Sequence, residues 1–161
     1  MIPLDRRRLV GGWELARWTV TMPDGSVRDA LGEGARGLLI LTRDGWATIT
    51  IAAAGRPPLS PARPNPATVA ERAAAFDTFV NYCCRWRLVG RTVELDVRLS
   101  QNPAMEGALL VRGVSLRGRT LIFTSEEAHV GGPRLHRLQW RPAQAGPRTR
   151  RPVPNPRRGR T

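Results

Sequence analysis

The sequence predicts a mainly β protein: a single antiparallel barrel of about eight strands, with one short helix and a disordered basic C-terminal tail. Three observations carry this. Short apolar or alternating runs follow one another along most of the chain, divided by Gly-containing turns. Their short connections suit antiparallel neighbours, and eight such strands in series close into an up-and-down barrel, which removes exposed edges. Only one segment carries helical spacing. At 161 residues the chain is expected to form one domain, over residues 1–141, with the tail at 142–161.

Taken in order, WELARWTVT (13–21) reads as the first strand and ends at Pro23-Asp24-Gly25, with a short piece near Ser26–Ala30. GLLILT (37–42) and WATITIA (46–52) are joined by Arg43-Asp44-Gly45, and Asp-Gly between apolar runs is a strong hairpin signal. A Pro-rich loop (Arg56–Pro66) leads into TVAERAAAFDTFV, where Thr68 stands three residues before Glu71, a capping-box signature. Val69, Ala73, Phe76 and Val80 recur at helical spacing, so a helix is predicted over 68–80, its apolar face on the barrel or over its mouth. YCCRWRLV (82–89) meets TVELDVRLS (92–100) across Gly90-Arg91, and ALLVRGVSL (108–116) meets RTLIFT (119–124) across Arg117-Gly118. LHRLQW (135–140) closes the folded part. The tail RPAQAGPRTRRPVPNPRRGRT has almost no large apolar group to offset chain ordering, so it is expected to be disordered.

The net charge of +13 invites a nucleic-acid reading, but all 26 basic residues are Arg. With 16 Gly and 14 Pro, that points to GC-rich coding rather than selection for a phosphate surface. Seven Arg fall in residues 141–161, leaving 19 Arg against 13 carboxylates, or +6, over residues 1–140. Nucleic acid is therefore expected to bind only nonspecifically, through the tail, by counterion release. No apolar run reaches the ~18 residues that span a bilayer, so no membrane partner is expected. The opening MIPLDRRRLVGGWEL has no apolar stretch after its basic cluster, which argues against a secretory signal and for the cytoplasm. Cys83 and Cys84 are adjacent, which pairs poorly, and read as free packing thiols rather than nucleophiles. Nucleotide, P-loop, HExxH and G-x-S-x-G signatures are missing from the sequence. SEEAHVGG offers Glu126, Glu127 and His129 without a third ligand type in view, so neither a metal nor another cofactor is expected.

Strand parity identifies the candidate interior. Tyr82, Cys84, Trp86 and Leu88 share one face, with Arg85 and Arg87 on the other. Val93, Leu95, Val97 and Leu99 oppose Glu94, Asp96 and Arg98, while His136, Leu138 and Trp140 fall together. An interior lined by Tyr82, Trp86, His136 and Trp140, with Trp46 from the first hairpin, would suit a flat or conjugated apolar ligand, although plain core packing reads the same way. His136 is the acid–base candidate because imidazole titrates near neutrality. On parity alone, Arg85 and Asp96 face solvent.

The Gly11-x-Trp13 opening resembles that of lipocalins, which implies that Trp13 plugs one barrel end with Arg137 or Arg141 lying across it. The longer order is more specific. LVGGWEL, DGS (24–26), ARGLLILTRDGWATI, ERAAAFDTFVNYCCRW, Pro103 with Gly107, VRGVSLRGRTLIF and HRLQW succeed one another as in a bacterial lipocalin-like domain family, over about residues 8–141. The resemblance implies a small barrel with an internal cavity, and a setting beside polyketide and other natural-product genes, where comparable barrels act as cyclases. Two departures stand out. Cys83 and Cys84 replace the family's small residue and Gly, and Asp96 stands where the family often has His, so any acid–base role there would fall to a carboxylate. If the family register holds, Arg85 and Asp96 turn inward and contact an oxyanion or enol.

The expected function is binding of a small apolar organic molecule by a monomer or homodimer. Its sharper form is a cofactor-free cyclase or isomerase of natural-product type, with His136, Tyr82 or Asp96 supplying a proton or hydrogen bond. A non-catalytic carrier with the same cavity is the alternative, and a nucleic-acid-associated protein acting through its tail is a third.

Overall fold

A computed structural model describes residues 4–60 and 67–144. The tail expected to be disordered, from residue 145 on, and residues 61–66 of the Pro-rich loop lie outside the described residues. Among the described residues nine strands form: β1 (Gly11–Thr21), β2 (Val27–Asp29), β3 (Arg36–Leu41), β4 (Trp46–Ala52), β5 (Phe79–Val89), β6 (Thr92–Ser100), β7 (Leu109–Arg117), β8 (Thr120–Glu127) and β9 (Arg134–Pro142). A helix, α1 (Val69–Asp77), lies between β4 and β5, and single 3₁₀ turns occupy Arg6–Arg8 and Pro103–Met105.

All pairings are antiparallel, and β9 returns to β1, closing an eight-stranded barrel. The short β2 stands outside that count, pairing with the end of β1 at Thr19–Thr21. Tight turns make the closure possible: Gly45 adopts φ +88° between β3 and β4, a conformation L side chains avoid. Gly37 faces the interior, where an added Cβ would lie 3.0–3.1 Å from Ile51 and Leu15.

One irregularity changes what the barrel contains. The β1–β9 register shifts between Leu15 and Arg17, leaving Ala16 as an extra residue. A bulge of this kind reverses the alternation beyond it. Trp13 and Leu15 therefore point inward before it, and Trp18 and Val20 after it.

The end of the barrel reached by the β3–β4 hairpin is closed by indoles. Trp13 donates from Nε1 to the Leu9 carbonyl (2.8 Å) and Trp86 to the Thr42 carbonyl (3.0 Å). Leu9 is fully buried there, and the Arg6 guanidinium lies 4.5 Å from the Trp86 ring. The expected cation over Trp13 is thus replaced by Arg6 over Trp86. Arg141 follows the inward Trp140, so it projects outward and pairs with its ladder neighbour Glu14 at 3.2 Å. Arg137 faces Thr19 and Thr124 across its two ladders, on the outer wall.

The helix forms where predicted, four residues shorter. Thr68 accepts from the Glu71 N–H and Glu71 reaches back to the Thr68 N–H, completing the capping box. Its apolar stripe does not pack as expected: Val69 is 73% exposed, Phe76 is 45% exposed, and Val80 belongs to β5. Polar ties hold the helix instead. Arg56 donates to the Ala75 carbonyl (2.9 Å) and Gln101 to the Phe76 carbonyl (3.0 Å). Among the described residues no helix is long and apolar enough to cross a membrane.

Candidate ligand cavity

Inside the barrel, toward the end that carries α1 and the Pro103–Met105 turn, the side chains leave a cavity of about 460 Å³. Ile49, Ile51, Val80, Leu110, Phe123 and Leu138 make its apolar wall, with Trp18 and Trp140 as aromatic panels. Polar groups enter from four strands: Tyr82 of β5, Arg112 of β7, and Ser125 and Glu127 of β8 facing His136 of β9. A concave, mostly apolar space with a few converging polar groups is the ordinary form of a small-molecule site.

A second depression of about 510 Å³, bordered by Arg85, Arg87, Glu94, Asp96 and Leu109, lies on the outer wall. Arg87 pairs with Glu94 and Asp96 with Arg98, each at 2.5 Å, and Arg85 is turned to the Asp44 carbonyl and the Trp46 ring. It is an open, wet groove despite its volume, and the interior cavity is the better site.

The expected site residues divide accordingly. Tyr82, His136 and Trp140 meet at the cavity. Trp86 is buried inside the barrel but belongs to the closed end, where its N–H is committed to Thr42. Trp46 stands on the outer wall, 45% exposed, with the Arg85 guanidinium 4.7 Å from its ring. Asp96 faces Arg85 on that same outer wall and pairs with Arg98. Trp46, Arg85 and Asp96 therefore do not reach the interior. The physical reason is simple alternation: Ala47, Cys84, Trp86, Leu95 and Val97 are the buried neighbours, so the residues between them turn out.

Trp18, Arg112, Ser125 and Glu127 of the cavity escaped the sequence reading. Trp18 was hidden by the bulge at Ala16, which no local signal announces. Arg112 was legible: it sits between the inward Leu110 and Val114 in LLVRGV, a lone cation on an apolar face.

The electrostatics are specific. Trp18 Nε1 lies 3.2 Å from His136 Nδ1, and His136 Nε2 lies 3.0 Å from a Glu127 carboxylate oxygen. An indole N–H can only donate, so Nδ1 accepts and the imidazole proton sits on Nε2, directed at Glu127. Burial pushes the Tyr82 phenol up to about 12, with the nearby Arg112 charge acting in the opposite direction. Tyr82 is therefore a neutral hydrogen-bond donor across the physiological range. Trp140 is fully buried, and its Nε1–H has no acceptor among the described residues. Among those residues no three His, Cys, Asp or Glu side chains gather as a metal-binding group.

Residues 10–141, nearly the whole described chain, match the family of the lipocalin-like domain. The chain belongs to the lipocalin-like domain family. No curated protein matches it. The interior cavity of this lipocalin-like barrel fits a small hydrophobic ligand.

Proposed function

We propose that this lipocalin-like barrel binds a small, largely apolar organic molecule in its interior. The observation that carries the reading is the cavity of about 460 Å³ between Trp18, Phe123 and Trp140, walled by aliphatic side chains. Transfer of apolar surface from water into such a space contributes roughly 25 cal/mol per Å² buried. The test is organic extraction and mass spectrometry of full-length protein from its native host, beside a Leu110→Trp variant that fills the cavity. A compound held by the wild type and lost from the variant supports the reading. Equal extracts, together with unchanged affinity for the neutral fluorophore N-phenyl-1-naphthylamine, would overturn it.

A second reading, a cofactor-free cyclase or isomerase of natural-product type, is favoured by the His136–Glu127 pair at the wall of an apolar space. Such a pair can carry a proton between two positions of one substrate, giving a product of equal mass. Both imidazole nitrogens are engaged, however, so a substrate atom would have to displace Trp18 or Glu127 to reach one. Binding therefore takes precedence. His136→Asn separates the two: proton transfer predicts a loss of turnover of about 10²–10⁴-fold with affinity retained, whereas a carrier shows no turnover to lose.

A further inference from the structure

We propose that the ligand of this cavity carries one anionic oxygen group, a carboxylate or enolate, seated against Arg112 with the Tyr82 phenol donating beside it. The inference rests on the binding reading above and narrows it to a chemical class.

Arg112 is the cation of the cavity wall. It lies opposite the fully buried Val93 across the β6–β7 ladder, so its stem enters between apolar side chains rather than crossing them to solvent. Five N–H donors in a planar fork are brought into a mostly hydrocarbon space. Among the described residues Arg112 makes no ion pair; the hydrogen bond its side chain makes to backbone is to the carbonyl of Val111, at 3.3 Å. The two carboxylates at the cavity do not compensate it. Glu127 is turned to His136 at 3.0 Å, and Glu126 is exposed.

A neighbour of Arg112 is a donor as well: Tyr82 is buried on the same wall with its phenol proton in place, close enough for the Arg112 charge to act on it. A charged fork and a phenol O–H side by side on one wall are matched by a group offering several lone pairs and a negative charge, which a neutral hydrocarbon does not supply. Charge-assisted bonds from an Arg fork to a carboxylate are about twice as strong as neutral ones.

The test uses two fluorophores that differ only in an anionic group: 8-anilino-1-naphthalenesulfonate and its uncharged parent, N-phenyl-1-naphthylamine. Both are titrated into the full chain at moderate salt, to suppress attraction to the Arg-rich C-terminus. The sulfonate is expected to bind the wild type at least about tenfold more tightly. Arg112→Leu removes that advantage while keeping the affinity for the neutral probe, which also shows that the cavity survives the substitution. Arg112→Lys keeps the charge without the fork and restores part of the advantage. Arg98→Leu, which removes the same charge from the outer wall, leaves it unchanged. Equal affinities in the wild type, or an advantage that persists in Arg112→Leu, would overturn the assignment while the neutral probe still reports a binding cavity. Loss of both probes from Arg112→Leu would make Arg112 a shaping residue and also overturn it. If neither probe binds the wild type, the cavity reading itself fails.

Discussion

Cys83 and Cys84 are neighbours in the chain and live in different media. Cys84 is fully buried, and burial raises its thiol to about 12, whereas Cys83 is part-exposed beside the Thr48 hydroxyl. A maleimide at mildly alkaline pH should label Cys83 alone in the folded protein, and both thiols in denaturant; mass spectrometry counts the adducts. The two tryptophans Trp140 and Trp46 make a parallel contrast. Trp140→Ala empties a fully buried position and should cost about 3–5 kcal/mol in urea unfolding. Trp46→Ala, on the outer wall, should cost about 1 kcal/mol or less, the worth of an exposed contact with Arg85. At this scale strand parity was enough to bring Tyr82, His136 and Trp140 together, and it turned Arg85 and Asp96 outward. Those two were drawn inward only by assuming another register, and the ladder follows the burial of Cys84, Trp86 and Leu95 instead.

The helix is the element least secured by apolar burial. None of its residues is buried, so α1 depends on its cap and on ties from Ser60, Arg56 and Gln101. Thr68→Ala should remove about 1 kcal/mol of helix stability. Amide exchange in α1 should quicken while the barrel strands stay protected. Glu71 adds a pH dependence. Hydrogen bonds from Ser60 and Thr68 hold its carboxyl at about 2, below the ordinary 4.5. A lowered folded-state value stabilises above the unfolded one, so this contribution is complete above about 4.5 and disappears as pH falls toward about 2. Exchange from α1 should accelerate across that window, and Glu71→Gln should flatten the response. The strands and this cap were legible because alternation and capping chemistry are local. The bulge at Ala16 was not, because it answers the partner strand β9 rather than anything in β1 itself. Nor was the exposure of Phe76 legible, because helical spacing says which residues share a face and not whether another surface meets it.

For the molecule as a whole, the barrel depends on a segment that belongs to no strand. Leu9 precedes β1, yet it is fully buried and its carbonyl accepts the Trp13 N–H. Leu9→Ala should therefore lower stability by about 2.7–5 kcal/mol, as a core residue does, with calorimetric melting as the measure. Closure of the eight strands was legible from the short turns, and the Gly-x-Trp opening pointed to one indole at the closed end. Its second indole, Trp86, and the cation over it, Arg6, come together only in three dimensions. That closed end has a kinetic meaning. A channel passes its cargo through, but an end shut by Trp13 and Trp86 could let a molecule out only if those indoles gave up their bonds to the Leu9 and Thr42 carbonyls. Traffic through the indole end is therefore tied to the stability of the core itself.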